Sequence, residues 1–373
     1  RLRRGQPRIK SAPYMKQTHN SLSVQSGEAV TDKEKANSGA RYRVTLALAV
    51  VLLIGILLAA LSVGRYAVPF GTTVKVLLNK LGLAEQTWDN KVDAVIMTLR
   101  LPRSTAAILI GGALALSGAC YQSIFKNPMV SPDLLGVSAG ACVGAALAIL
   151  LDLSTFYIQL FAFLCGIGTV FLTTSIPRLI RNESTTILIL SGVIMSSLMS
   201  SIMSIIKFLA DTDTKLAEIT YWTMGSLASI KFPDILMVLP TLTVPAVVIL
   251  VMRFRLNVMS LGDREAQTLG IHLRRTRGIF VICATLLTAS CVCLAGTIGW
   301  VGLVIPHIAR LIVGADNKRM LPVAMLFGSS FMLVIDTLCR TLSSAELKLG
   351  ILTGIVGAPF FFFILVKQHR TML

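Results

Sequence analysis

The segment LGDREAQTLGIHLRRTR (Leu261–Arg277) decides how the rest of this chain is organised. It is a charged interruption between two long apolar runs, one ending near Met252 and the next beginning near Ile279. Its acidic residues come first, its arginines come last, and Gly262 and Gly270 punctuate it. This pattern predicts two short helices with a break at Gly270, the acidic residues near a helix N-terminus and the arginines near a membrane surface.

This charged segment has two interpretations. Leu261, Ala266 and Leu269 would form one apolar face suited to a groove on another protein. The segment would then be a handle by which a soluble protein moves a membrane channel. The alternative is a solvated loop whose arginines sit at the membrane interface. Residue chemistry alone leaves both interpretations open.

The composition on both sides of the charged segment is that of a membrane protein. Of the 373 residues, 54% are hydrophobic and only 14% are charged, and the mean hydropathy is +0.75. A soluble domain carries roughly a quarter of charged residues. The apolar runs approach twenty residues and are continuous rather than alternating, which favours membrane-spanning helices over a β-barrel. The sequence therefore predicts an all-α polytopic membrane protein.

Ten apolar segments are predicted to span or enter the membrane. They are Val44–Val63, Leu101–Phe125, Val137–Leu151, Phe156–Ile180, Thr186–Leu209, Ile235–Met252, Gly278–Ala295, Val301–Val313, Leu321–Leu342 and Leu349–Val366. At about 1.5 Å per residue, the segments of thirteen to fifteen residues are too short to cross a ~30 Å hydrocarbon core alone. We expect these short segments to end inside the protein body.

The predicted organisation is one membrane domain between two polar tails. Residues 1–43 carry ten Lys and Arg without apolar periodicity, which predicts a disordered N-terminal tail. Residues 44–367 form the membrane domain, and residues 368–373 form a C-terminal tail. With the N-terminus inside, 24 of the 35 Lys and Arg lie inside, so both termini are predicted to be cytoplasmic. The net charge of +17 does not indicate nucleic acid, because no basic stripe is interleaved with aromatic residues.

The chain lacks the patterns that catalysis and metal binding use. It contains no GxxxxGK[ST] phosphate loop and no His, Asp and Ser at catalytic spacing. None of its seven cysteines forms a CxxC pair, and all lie in or beside apolar runs. We therefore predict no enzyme, no metal site and no cofactor bound directly.

Three arginines are candidates for binding a partner. Arg100 and Arg103 face the same way where the second span begins, and Arg340 follows Asp336 by one turn at the outer end of the ninth span. They either reach the membrane interface as snorkelling residues or offer docking points for carboxylates on an extracytoplasmic partner.

The fifth span carries a small, soft and weakly polar surface at helical spacing. Its residues are Ser191, Met195, Ser196, Met199, Ser200, Met203 and Ser204. This surface either lines a pore without a strong binding site or packs against neighbouring helices. The glycines of Gly136-x3-Gly140-x3-Gly144 predict that two helices approach each other closely.

Four blocks of sequence resemble the signature of the FecCD/BtuC-like family of ABC importer permeases for iron-siderophores and cobalamin. They are Arg100–Ala141, Leu261–Arg275, Ala295–Pro322 and Ser343–Leu365. The resemblance covers roughly residues 44 to 367. It implies ten spans in the type II ABC importer architecture, two cytoplasmic ATPase subunits that hold ATP and Mg²⁺, and a second permease subunit, identical or paralogous. It also implies an extracytoplasmic binding protein that delivers the substrate.

The resemblance also implies roles for individual residues. The positions that match the coupling helices, at about residues 261–275, are Leu261, Gly262, Asp263, Glu265, Ala266, Leu269 and Gly270. Arg100, Arg103 and Arg340 match outer arginines that pair with glutamates of the binding protein. Spans five and ten match the lining of the path. The chain departs from the family at Lys348, where a proline is usual.

The implied function is import of an Fe(III)-siderophore across the inner or plasma membrane of a bacterial cell, with heme and cobalamin as alternative cargoes. An ion-driven transporter is a second class, and it would need a buried carboxylate at mid-membrane. Only Asp336 lies well inside a span, with Arg340 as a ready partner. A receptor or scaffold without a path is a third class.

Overall fold

The computed structural model describes residues 22–181, 184–343 and 345–372, and the regular structure of these residues is helical. A π-helical segment, Val95–Arg100, joins α3 to α4, and a 3-10 turn, Pro132–Leu135, precedes α5. The α-helices are α1 (Leu22–Ser62), α2 (Phe70–Lys80), α3 (Asn90–Ala94), α4 (Leu101–Ile124), α5 (Val137–Leu150), α6 (Thr155–Leu179), α7 (Thr185–Leu209), α8 (Lys215–Thr223), α9 (Phe232–Leu261), α10 (Asp263–Thr268), α11 (Leu273–Ala295), α12 (Val301–Val313), α13 (Asn317–Thr341) and α14 (Leu349–Met372).

Ten apolar helices correspond to the ten predicted spans. Within the described residues, seven helices are long and apolar enough to cross a membrane: α1 from Gly39, α3 continued by α4, α6, α7, α9, α11 and α13. Three shorter apolar helices are α5, α12 and the part of α14 up to Phe363. The predicted fold class, an all-α polytopic membrane protein, is confirmed.

The helix α4 is the centre of the bundle. It packs against α9, α11, α12 and α13, and 83% of the apolar window of its span is buried. A Cβ atom at Gly118 would lie 1.8 Å from the carbonyl oxygen of Gly302 in α12, and one at Gly111 would lie 2.2 Å from that of Gly328 in α13. Glycine at these positions therefore lets three helix backbones meet almost directly.

The predicted glycine pattern brings α5 against α6. A Cβ atom at Gly140 would lie 2.0 Å from Oγ1 of Thr169, and one at Gly144 would lie 2.2 Å from the carbonyl oxygen of Phe161. Gly136 has a different role, because it precedes α5 with a φ of +79°, a left-handed conformation that favours glycine. Two of the three glycines therefore form the predicted close approach, and the third makes a turn.

The helices α7 and α9 lie at the surface of the bundle. Only 22% of the apolar window of α7 and 28% of that of α9 is buried within the chain. Exposed apolar side chains on a membrane helix face lipid or another subunit. These two helices can therefore meet the surroundings of the chain in the membrane, as can α1, of whose apolar window only 17% is buried.

The chain divides into two units after residue 44. Of the predicted disordered tail, residues 1–21 lie outside the described residues, and the backbone from Leu22 onward is helical. Residues 22–43 include the good helix formers Glu28, Ala29 and Glu34, and no proline interrupts them. At the other end, α14 continues to Met372 through most of the predicted C-terminal tail.

Candidate functional site

The charged segment forms an elbow between α9 and α11. It contains the short helix α10, and its second predicted helix is the first turn of α11 rather than a separate element. Gly270 has a φ of +79° and lies in the break between α10 and α11. Its N–H donates to the carbonyl oxygen of Gln267 at 2.9 Å, and that of Ile271 donates to Ala266 at 3.0 Å. Glycine at this position ends α10 without strain.

The single apolar face predicted for the charged segment is not formed. Leu261 is the last residue of α9 and Leu269 follows α10, so neither lies within the short helix. Both leucines are exposed, by 69% and 63%, whereas Ala266 is fully buried against its own chain. Two separate leucines therefore flank α10, and Glu265 is exposed between them.

Asp263 anchors α10 to the bundle. Its carboxylate lies 3.2 Å from Nζ of Lys126, just beyond the end of α4, and 3.3 Å from Nη2 of Arg277 in α11. Partial burial acts to raise the pKa of Asp263, but Lys126 and Arg277 hold that pKa below its usual value. The sequence predicted that Arg277 would meet the membrane, and the structure instead turns it toward Asp263.

A cleft of about 590 Å³ opens beside the elbow. We call it the elbow cleft. Its lining combines apolar residues with two arginines and a histidine: Phe254, Arg255, Val258, Leu269, Gly270, Ile271, His272, Arg275, Thr276 and Ile279. The sequence analysis missed this cleft, because its two walls come from α9 and α11 and meet only when the chain folds back at the elbow.

At the opposite end of α4, Arg103 lies in a buried ionic cluster. Its Nε atom donates to Oδ1 of Asp336 at 2.8 Å, and its Nη1 atom donates to both carboxylate oxygens of Glu346 at 3.1 and 3.2 Å. Nε of Arg340 lies 3.9 Å from the other oxygen of Asp336. The Asp336 side chain is fully buried between the two arginines, so its charge is compensated within the chain.

Arg100 and Arg340 complete this arginine cluster by binding the end of α1. Nη1 of Arg100 donates to the carbonyl oxygens of Leu61 and Ser62 at 2.6 and 2.9 Å, and the Arg340 guanidinium donates to that of Ala60. The last carbonyl groups of a helix have no partner inside that helix. The two arginines satisfy them, and their positive charge also suits the negative end of the helix dipole.

The arginine cluster therefore does not present free guanidinium groups. Arg100, Arg103 and Arg340 are only 5%, 9% and 7% exposed, and each binds groups of its own chain. Their predicted docking of a binding protein stays a prediction. These contacts are not evident from the sequence, because Glu346 lies 243 positions from Arg103 and Ala60 lies 280 positions from Arg340.

The predicted path residues on α7 divide between two faces. Ser191, Met195 and Met199 are buried against neighbouring helices, and Ser196 and Met203 are partly buried. The exposed face carries hydroxyl groups, namely those of Ser197, Ser200, Ser201 and Ser204. The packing interpretation thus fits the methionine side, and the exposed face carries these serines together with apolar residues such as Val193, Leu198 and Ile205.

The serine side of α7 borders a cleft of about 500 Å³. Its lining residues are Ser131, Asp133, Leu134, Val193, Ser196, Ser197 and Ser200. Asp133 lies in the 3-10 turn before α5 and accepts a hydrogen bond from Ser138. Sequence reasoning missed Asp133 and Ser131, because it treated α7 alone and could not place a distant turn beside it.

Comparison with known proteins identifies relatives along nearly the whole membrane unit. The sequence matches the model of the FecCD transport family over residues 51–367. It is 36% identical over 320 residues to the molybdate import system permease protein MolB of Haemophilus influenzae. This alignment covers 86% of this chain and 94% of MolB. It is 33% identical over 341 residues to the Fe(3+)-citrate import system permease protein YfmE of Bacillus subtilis, covering 90% of this chain and 99% of YfmE.

A solved structure has the same arrangement of helices. It is an inward-facing conformation of an ABC transporter of the metal-chelate type, and it aligns with a TM-score of 0.77 at 35% sequence identity. The alignment covers 86% of this chain and 98% of the solved chain.

Proposed function

The chain belongs to the FecCD transport family and is an ABC importer permease, and from this membership we propose that its cargo is an Fe(III)-siderophore. Two cytoplasmic ATPase subunits supply the energy by binding ATP with Mg²⁺, and a second permease subunit completes the path. An extracytoplasmic binding protein delivers the chelate. The permease lies in the bacterial inner or plasma membrane with both termini in the cytoplasm, and it performs no chemistry itself.

The elbow is the observation that supports an ATPase partner. It offers Leu261, Glu265 and Leu269 on the outside, while Asp263 ties α10 to the end of α4 and to α11. A force on α10 would therefore reach the central helix of the bundle through short ionic contacts. Such a connection suits a switch between outward- and inward-facing states driven by ATP binding.

The cleft beside α7 supports a chelate as the cargo. Its lining combines hydroxyl and apolar groups with one carboxylate, and no Arg or Lys is among its lining residues. A small oxyanion such as molybdate would be held by cationic groups or by backbone N–H donors, and the side chains that line this cleft include no cationic group. A bulky metal chelate instead suits a wide and weakly polar surface. Heme and cobalamin, which are also bulky, are the alternative cargoes.

Transport in proteoliposomes tests the cargo. The permease is reconstituted with its ATPases and binding protein, and uptake of ⁵⁵Fe-siderophore is measured with ATP enclosed on the ATPase side. We expect ATP-dependent iron uptake that unlabelled siderophore competes with and molybdate does not. Uptake of molybdate, or of heme or cobalamin, without iron uptake would reject the cargo. Full uptake in vesicles that lack the ATPases would reject the ABC mechanism in favour of an ion-driven one.

Substitutions at the elbow test the coupling role. Glu265→Ala with Leu269→Ala is expected to lower transport per ATP hydrolysed at least about tenfold, because the proposed contact with the ATPase loses a charge and an anchor. Leu81→Ala is the matched control, since Leu81 is equally exposed, at 72%, and lies in a loop elsewhere. Normal uptake by the double variant would reject the coupling assignment. Monodisperse elution of both variants excludes a folding defect.

The arginine cluster is the proposed docking site for the binding protein. A cleft of about 260 Å³ reaches Arg100, Arg103 and Arg340 from outside, with Arg65 and Glu346 at its border. The Glu346 side chain is about one-third exposed and occupies one side of Arg103. A carboxylate of the binding protein would therefore replace Glu346 on Arg103 rather than meet a vacant guanidinium.

A further inference from the structure

The elbow cleft lies beside the end of the apolar run of α9. The 30 residues of α9 make a helix about 45 Å long, longer than the ~30 Å hydrocarbon core. Its apolar run ends near Met252, and Arg253 and Arg255 follow immediately. The facing wall begins at the N-terminus of α11, where Arg274 and Arg275 lead into an apolar run. Both walls therefore change from polar to apolar at the same end of the bundle.

The two arginines that line the elbow cleft have no partner in the part of the chain that the structure describes. Arg255 and Arg275 are both exposed, and neither makes a hydrogen bond or an ion pair with a described residue. No carboxylate is among the lining residues. This contrasts with Arg277, only two positions further, which binds Asp263. The cleft consequently holds two uncompensated positive charges.

Much of the remaining lining of the elbow cleft is apolar. Val258 is buried in its wall, and Phe254 and Ile279 are exposed at 56% and 38%. Two guanidinium groups beside apolar residues match an anionic phospholipid, whose phosphate accepts charge-assisted hydrogen bonds while its glycerol and upper acyl carbons contact the apolar residues. An acidic peptide of a soluble protein would satisfy the arginines without using the buried apolar part of the lining at Val258.

We propose that the elbow cleft binds the headgroup of an anionic phospholipid, such as phosphatidylglycerol or cardiolipin, through Arg255 and Arg275. The bound lipid would bridge α9 and α11 across the elbow and so stabilise the position of α10. Its assignment to the cytoplasmic leaflet rests on the orientation in the proposed function. The binding itself does not depend on the cargo.

Native mass spectrometry of the full-length permease in a neutral detergent tests this proposal. The protein is titrated with phosphatidylglycerol, cardiolipin or phosphatidylcholine. We expect the first two to bind and phosphatidylcholine to bind at least about tenfold more weakly. Arg255→Ala with Arg275→Ala should weaken anionic lipid binding roughly 10- to 30-fold, the loss expected for two arginines at a lipid surface.

Matched controls separate the elbow cleft from general charge effects. Arg264→Ala removes an exposed arginine of α10 that does not line the cleft. This variant should bind anionic lipid as tightly as the wild type does. Glycerol phosphate, which has the headgroup charge but no acyl chain, should not compete. Competition by glycerol phosphate would mean that the cleft binds a free anion, and it would overturn the proposal of a lipid site.

Two further outcomes would overturn the proposal. The first is equal loss of lipid binding in Arg264→Ala and in the cleft variant, which would mean only nonspecific attraction. The second is unchanged lipid binding by the cleft variant together with lost association of the ATPase, which would assign Arg255 and Arg275 to a protein partner. Because lipid binding is read on the permease alone, failure here is distinguishable from failure of the transport assay.

Discussion

The two arginine-rich ends of this bundle differ in whether their charges are satisfied inside the chain. In the arginine cluster, Arg100, Arg103 and Arg340 are buried and bind carboxylates or helix-terminal carbonyl groups. In the elbow cleft, Arg255 and Arg275 are exposed and have no partner among the described residues. The same residue type therefore holds helices together at one end and stays exposed and uncompensated at the other.

The difference follows from the cost of burying a charge. A guanidinium group taken out of water is tolerated only when opposite charges and hydrogen bonds compensate it. The arginine cluster meets this requirement with Asp336, Glu346 and the end of α1. The elbow cleft keeps its arginines at the surface, where solvent or lipid phosphate can compensate them. Substitutions in the arginine cluster should therefore act on stability first, and those in the elbow cleft on binding.

The largest effect is expected from Asp336→Ala. It leaves Arg103 and Arg340 buried without their shared carboxylate, and breaking a buried ion pair in this way costs about 3–5 kcal/mol. We expect a corresponding fall in the free energy of unfolding, measured by denaturant titration in detergent. The control is Asp213→Ala, which removes an exposed aspartate and should change stability by less than about 0.5 kcal/mol. A similar change in the free energy of unfolding for both variants would contradict the role of Asp336 as the shared buried carboxylate of the arginine cluster.

Arg100→Ala should have the next largest effect. It removes the charged donor from the carbonyl groups of Leu61 and Ser62 and leaves the end of α1 uncapped, at a cost of about 1.5–3 kcal/mol for hydrogen bonds to a charged group. The same unfolding titration measures it. Arg100→Lys should lie between the wild type and Arg100→Ala, because an ammonium group cannot reproduce the forked geometry. An unchanged stability would indicate a snorkelling arginine instead.

Glu346→Ala should affect stability little and docking more. The Glu346 carboxylate is partly exposed, so its ion pair with Arg103 contributes at most about 1 kcal/mol. Without it, Arg103 is open to a carboxylate of the binding protein, and the affinity of docking should rise about threefold to fivefold at low salt. Surface plasmon resonance with the reconstituted permease measures the change. A weaker association would mean that Glu346 itself contacts the binding protein.

The smallest effect on stability is expected at the elbow, from Asp263→Asn. The exposed ion pairs of Asp263 contribute about 0.2–1 kcal/mol. Because its pKa is lower in the folded state, this contribution is present above the unfolded pKa, about 3.9, and disappears as the pH falls through the folded pKa. The hydrogen-exchange protection factor of α10, which is corrected for the intrinsic pH dependence of exchange, should therefore fall below about pH 4 in the wild type and be lower at neutral pH in Asp263→Asn. An equal loss of protection at low pH in the wild type and in Asp263→Asn would contradict the anchoring role of Asp263.

Local features of the fold were predictable from the sequence. Val301–Val313 forms α12 at the predicted bounds, and α5 ends within one residue of its prediction. The break at Gly270 also falls where the glycine stands in the sequence. These features are local, because a run of apolar residues or a glycine acts through its own backbone and the lipid around it.

The helical content, the apolar spans and the absence of a phosphate loop were thus determined by the sequence alone, through composition and local pattern. Only the tertiary structure decided which face of each helix is buried and which charged groups pair with one another. Arg103 meets Asp336 across 233 positions of the chain, and Ala266 turns inward while Leu261 and Leu269 stay outside. The helix α7 buries Ser191 as well as Met195 and Met199, although its other serines are exposed or partly buried. Periodicity describes a helix by itself, whereas burial and charge compensation depend on neighbours that arrive from distant parts of the chain.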